Sequence, residues 1–329
     1  MTWKSSLSGR EPQITQMNHR LHRVLAIVFT MTLVLLILEC TLADDIKLKI
    51  ENRKSEIQRI VSLSPNLTEI VFALELGNKV VGVSNNCDWP AEAKTKPKMG
   101  TFWQPNTEAI IAAKPDLVVC ESFLQQKEVA ETLKRAGLRV VSLRAESIEE
   151  LFNAIIQIGS ATGCLDKAEP LAAKIKSELG QIRAKASSAK KVKVLWAVQT
   201  EPMRVVGVKT FVNEIIDLAG GQNVIAPTGD QYPSVGTETI LTSGAEVIIQ
   251  SAMGTEDITK QQETAEKFWS RYANLPAVKN KRIYVIDPDT VLRLGPRLPQ
   301  GVQTVARLLH PELFEQPKEP NQIMGRTDG

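Results

Sequence analysis

Histidine, the side chain most used for proton transfer near neutral pH, occurs at only three positions: His19, His22 and His310. Two of them precede the apolar run Val24–Leu38, and the third lies at the far end of the last helical pattern. A Ser-His-Asp triad, a zinc-hydrolase site or a His-rich metal trap therefore lacks its parts. Polar residues instead fall beside aromatics. Asn86 and Trp89 lie in SNNCDWP, Phe102, Trp103 and Gln104 in MGTFWQPN, Tyr232 in GDQYPS, and Asp289 and Arg293 in DPDTVLRLGPR. In a chain with 5% aromatic residues, such clustering points to a large, flat or apolar ligand held by ring contacts and oriented by a few polar groups. Each residue also has a structural alternative: Trp89 before Pro90 can anchor a loop, and Arg293 can pair with a carboxylate. Glycine-rich phosphate loops are missing, since LGPRLPQG has neither the spacing nor the position of a dinucleotide fingerprint.

Strand-like runs alternating with helical patterns must position these loops, the mark of parallel βαβ units. Ile60–Leu63, Val80–Val83, Leu117–Cys120 and Arg139–Leu143 form one set of strands, with helices over Leu67–Leu76, Asn106–Ala113 and Gln125–Ala136. A second set runs Val192–Val198, Val247–Gln250 and Arg282–Ile286, with helices over Thr210–Ala219, Thr237–Thr242, Thr264–Ser270 and Gly301–Leu309. The fold class is α/β: two Rossmann-like lobes, each with a parallel sheet, joined by one long helix over Leu165–Ser188 that Asp166 caps. The candidate loops follow or adjoin the carboxyl ends of the strands, where open parallel sheets collect ligands, so the facing lobes enclose a cleft. By residue number, the lobes are 57–147 and 191–311, the helical linker is 148–190, and 312–329 is a Pro/Lys/Glu-rich disordered tail.

Residues 1–43 read as a secretory signal, followed by a linker over 44–56. The apolar run is too short to span a membrane, and Thr41-Leu42-Ala43 offers small residues before a cut after Ala43. Cys40 offers the rival exit, a lipid-anchored lipoprotein whose only membrane contact is that anchor. Removing 1–43 takes four Lys/Arg from 40 and two Asp/Glu from 37, leaving a net charge of +1. A charge that small, with no basic block carrying aromatics, gives a nucleic-acid surface little support. Cys87, Cys120 and Cys164 permit at most one internal bridge, and free thiols are an equal alternative.

The chain repeats itself. NTEAIIAAKPDLVVC from Asn106 and GTETILTSGAEVIIQ from Gly236 align without a gap, and EIVFALELGNKVV from Glu69 has a looser echo in EIIDLAGGQNVI from Glu214. Lobes built alike follow from this. Glu108 and Glu238 then stand as matched acids in equivalent short helices. Such a pair suits a two-fold partner with two basic patches, or simply the positive end of each helix dipole.

The stretches RIVSLSPNLTEIVFALELGNKVVGVSNNCDWP, PKMGTFWQPNTEAIIAAKPDLVV and RLGPRLPQGVQTVARLLHPE resemble the periplasmic binding proteins of ABC importers for cobalamin, ferric siderophores and haem. CDWP and the first strand–helix unit look most like the cobalamin branch. The resemblance implies a monomer, without a cofactor or chemistry of its own, that carries cobalamin, a related corrinoid or an iron chelate in its cleft outside the cytoplasmic membrane. It further implies docking of Glu108 and Glu238 on the permease dimer. The implied aromatic cradle includes Phe102 and Tyr232, with Asp289 near its base. At Asn86 and Glu121 the chain departs from it, because the resemblance implies aromatic residues there.

Overall fold

The computed structural model describes residues 57–254 and 257–315. The signal, the linker 44–56, Cys40 and residues 316–329 lie outside the described residues.

The first lobe starts with β1 (Ile60–Ser62), α1 (Pro65–Ala73), β2 (Val80–Val83), α2 (Ala91–Lys94) and α3 (Thr107–Ala112). It continues with β3 (Leu117–Glu121), α4 (Leu124–Arg135) and β4 (Val140–Leu143). The strands form a wholly parallel sheet in the order β2-β1-β3-β4, with Ile60 opposite Leu117. Ile60, Val61, Leu117 and Val118 are completely buried, as expected of parallel strands covered on both faces.

Two helices carry the chain onward, α5 (Ile148–Thr162) and α6 (Leu165–Ala186). Gly163, at φ 75°, ends α5 in the left-handed cap that favours glycine. The helices then cross closely at Gly159, where an added Cβ would lie 2.4 Å from that of Ala168. α6 is the long helix expected from the sequence, but Cys164 rather than Asp166 takes its N-cap position. Asp166 sits in the first turn, where it favours the helix through the dipole.

The second lobe comprises β5 (Val192–Thr200), β6 (Met203–Val205), α7 (Phe211–Leu218), β7 (Gly221–Asn223), α8 (Thr237–Thr242) and β8 (Val247–Ser251). After these come α9 (Ile258–Trp269), α10 (Pro276–Lys279), β9 (Ile283–Ile286), α11 (Pro288–Val291) and α12 (Leu298–Leu309). Its sheet runs β6-β5-β8-β9, with β7 also beside β5. β5, β7, β8 and β9 are parallel, whereas β6 turns back antiparallel on β5. One hydrophobic cluster runs from Ile60 and Leu67 through Ile158 and Leu179 to Trp196, Val302 and Leu309, so both lobes share a core across the linker helices. Phe314 joins that core at 4% exposure, and Lys185 lies over its ring, which places ordered chain within the segment read from sequence as tail.

The repeat appears in three dimensions. Ile110 and Ile240 are buried at matching points of α3 and α8, while Glu108 and Glu238 are exposed in their first turns. Asp116 accepts hydrogen bonds from the backbone N–H groups of Gln58 and Arg59 at 2.8 and 2.9 Å, and Glu246 accepts one from Lys193 at 2.8 Å. Each acid thus ties the entry of its lobe's β3 or β8 to the central strand.

Candidate functional site

Loops at the strand ends meet around a cleft of about 490 Å³. Asn66 enters from the start of α1, Asn85, Asn86 and Asp88 from the loop after β2, and Glu121 from the end of β3. The second lobe contributes Phe211 from the start of α7, together with Asp289 and Arg293 on and just beyond α11.

Gln126, completely buried in the first turn of α4, holds the first-lobe side together. Its amide nitrogen donates to the carbonyls of Phe102 and Leu63, and its oxygen accepts from the Glu121 N–H at 2.7 Å and the Ser64 hydroxyl at 3.2 Å. Asn86 adds a further tie, accepting from the Phe102 N–H at 2.9 Å. Phe102 thereby faces the cleft from a fixed loop, and its ring packs 4.9 Å from both Trp103 and Phe123.

Charged groups join the lobes beside the cleft. Glu69 on α1 is 3% exposed and takes a two-pronged bond from Arg297, at 2.7 and 3.0 Å. Arg293 lies 3.6 Å from the same carboxylate, donates to Asp88, and pairs with Asp289 at 2.9 Å. Burial opposes the Arg293 charge, but Asp88 and Asp289 outweigh it and hold the guanidinium above its ordinary pKa. The Arg297 guanidinium lies 4.5 Å above the Trp89 ring centre. On the floor, burial pushes the Glu121 carboxyl up to about 7, against a hydrogen bond with Asn66 and with help from the charge of Glu146.

Four of the eight residues singled out as ligand contacts line the cleft: Asn86, Phe102, Asp289 and Arg293. The other four are placed differently. Trp89 supports Arg297, Trp103 is 60% exposed against the Phe102 ring, and Gln104 closes a turn with Thr101. Tyr232 is half-buried, and burial together with the Glu146 charge raises its phenol pKa. The Asp289 side chain is 62% exposed, so it stands at an open edge rather than at the base. Sequence reasoning missed Glu69, Asp88, Gln126 and Arg297 as parts of the site. Cys87, Cys120 and Cys164 are all free thiols, and Cys87 is held in the core by Thr68 and Ser84 at 3.1 Å. Among the described residues no group of acids, histidines and cysteines is arranged to hold a metal, and no helix is long and apolar enough to cross a membrane.

The family model described as periplasmic binding protein matches residues 60–290. An uncharacterized ABC transporter substrate-binding lipoprotein of Bacillus subtilis is 35% identical over 80% of this chain and 83% of its own length. The vitamin B12-binding protein of Vibrio parahaemolyticus is 29% identical, covering 73% and 85%. Among solved structures, a possible iron-binding (periplasmic solute-binding) protein from Staphylococcus epidermidis superposes with a TM-score of 0.68 at 28% identity, over 78% of this chain and all of the other.

Proposed function

Because the chain belongs to the periplasmic binding protein family of ABC importers, we propose that it captures cobalamin or a related corrinoid in the cleft and delivers it to a permease dimer. The observation that carries this reading is the cleft itself. At about 490 Å³ it lies within the usual range for small-molecule sites, with Asn86 and Phe102 presented by one lobe and Asp289 and Arg293 by the other. Phe102 offers a ring face to a flat macrocycle, and the amide and charged groups fix its orientation. Trp89, Trp103, Gln104 and Tyr232 then act from the rim and the supporting loops. The similarity to the Vibrio vitamin B12-binding protein supports the ligand class. The structural likeness to the possible iron-binding protein supports a second reading, a ferric-siderophore or haem carrier.

Delivery follows from the repeat. Glu108 and Glu238, exposed on equivalent helices, present two acids to a two-fold basic partner, and the carrier makes and breaks no covalent bond. Export by residues 1–43, or retention through a lipid on Cys40, places the monomer where the permease receives its ligand.

Titration calorimetry of the purified chain with cyanocobalamin is expected to give one site per chain, with weaker heats from haemin and a ferric siderophore. Tighter binding of either iron chelate would transfer the assignment to the second reading. Replacing Glu108 and Glu238 together by Ala is expected to abolish uptake in cells while leaving the calorimetric affinity intact, and undiminished uptake would remove the docking role.

A further inference from the structure

Charge separates the ligand classes that a cleft of this fold could hold. Asp88, Glu121 and Asp289 are acids on its lining, and Arg293 is the one cation among the described residues there. That cation is already engaged by Asp88 and Asp289 and is approached by Glu69 at 3.6 Å. An incoming carboxylate would therefore meet a guanidinium whose partners are in place, while Glu121 waits at the floor. Asn66, 8% exposed and lining the same floor, adds an amide beside it.

We propose that Glu121 is a specificity-determining residue that turns away anionic chelates and admits neutral or cationic ones bearing amide or ammonium donors. This rests on the corrinoid reading of the cleft and deepens it. Uncharged corrinoids carry amide donors around their edge, whereas haem presents two carboxylates. Discrimination of this kind comes mostly from the penalty on the wrong ligand, because the half-buried Glu121 carboxylate repels a second carboxylate brought against it. The selection strengthens with pH. Glu121 loses its proton near 7, so the floor is a neutral acid at pH 6 and a carboxylate at pH 8. The other charges around it are Glu146, bonded to Arg144 at 2.7 Å on the first-lobe side, and Asp88, Asp289 and Arg293 on the cleft lining.

The test uses the purified full chain with three probes: cyanocobalamin, which has no net charge; aquocobalamin, its singly cationic counterpart; and haemin. Affinities are read at pH 6.0 and 7.5 in low and high salt. About a tenfold preference for aquocobalamin over cyanocobalamin is expected at pH 7.5 in low salt, shrinking as salt screens the floor. Haemin should bind at least about tenfold more weakly than cyanocobalamin. Glu121→Gln sees the same probes and so subtracts their own titration. It should bring the cation preference to within about threefold of unity and remove the extra preference that wild type gains between the two pH values. Haemin binding tightest, or an unchanged cation preference in Glu121→Gln, would overturn the charge selection while leaving a solute-binding cleft. Binding of none of the three would sink the corrinoid reading, and this inference with it.

Discussion

Glu69 in α1 and Glu214 in α7 stand at echoing points of the two lobes, and each reaches beyond its own lobe by different chemistry. Glu69 is buried and holds two guanidinium groups of the opposite lobe, Arg297 by two bonds and Arg293 at 3.6 Å. Glu214 accepts one bond, at 2.8 Å, from the backbone N–H of Ile148, the first residue of α5. That acid completes the N-terminus of a helix packed on the first lobe, where a carboxylate is favoured by the free N–H groups and the dipole. The duplicated scaffold thus retains the crossing on both sides, but only the Glu69 side is wired to the cleft, because Arg293 belongs both to the crossing and to the lining.

Breaking the two crossings should therefore give unequal effects. Arg297→Met leaves the Glu69 carboxylate buried with only the more distant Arg293, and is expected to lower stability by about 3–5 kcal/mol. Glu214→Ala removes a single bond to a helix N-terminus and should cost about 1 kcal/mol. Denaturant melts of both variants check the ratio. The double variant Glu69→Ala with Arg297→Met should be less unstable than the sum of the two single changes, since the first removes the charge that the second strands. Equal costs for Arg297→Met and Glu214→Ala would remove the distinction between the crossings.

The way these features read from sequence follows from how local each one is. Val80–Val83 and Thr237–Thr242 were legible to the residue because each is a short run bounded by polar or turn residues. β6 and β7 were not, since MRV and GQN hold no continuous apolar run such as the one that marks β1, and their pairing with β5 is set by tertiary structure. Asn86, Phe102, Asp289 and Arg293 fall on the cleft lining because loops at the strand ends of an open parallel sheet border its crevice. Glu69 and Arg297 are 228 residues apart, and nothing local to either signals the other. The one available hint was Glu69 itself, a charge beside Ile70 and Val71 in a helix that is otherwise read as core. Gln126 has the same history: it reads as one more polar residue of an exposed helix, and only the fold turns it inward to join three loops.

A second difference between the lobes lies at the strand ends. Glu121 closes β3 and Ser251, its counterpart in the repeat, closes β8. Ser251 is turned inward, accepting from the indole N–H of Trp196 at 3.2 Å, while Glu121 faces the cleft. For Glu121 the folded pKa of about 7 exceeds the ordinary value of 4.5, so between these values the native state holds more protons than the unfolded chain. Stability consequently falls as pH rises through that window, by about 3 kcal/mol once pH exceeds 7. Glu121→Gln should recover about that amount at pH 8 and change little at pH 4. Ser251→Ala should cost about 1 kcal/mol at either pH, because no titrating group is lost. Thermal melts at the two pH values separate the cases, and a pH-independent effect of Glu121→Gln would contradict the raised pKa.

The smallest expected effect tests where the lobes agree most closely. Asp116 and Glu246 occupy the same place in the repeat, and each ties the entry of its strand to the central strand of its own sheet. Asp116 accepts two backbone N–H groups through one oxygen, whereas Glu246 accepts one. Their surroundings give water access to the freed N–H groups, so loss of either carboxylate costs the net value of its bonds rather than a full desolvation penalty. Asp116→Ala should therefore lower stability by about 1 kcal/mol and Glu246→Ala by about half as much. Both should move the urea midpoint without changing the slope, since neither alters how much surface unfolding exposes. Should Glu246→Ala prove the costlier of the two, the number of backbone groups held would not be what sets the value of this repeated tie, and the longer side chain's packing against β5 would have to be weighed instead.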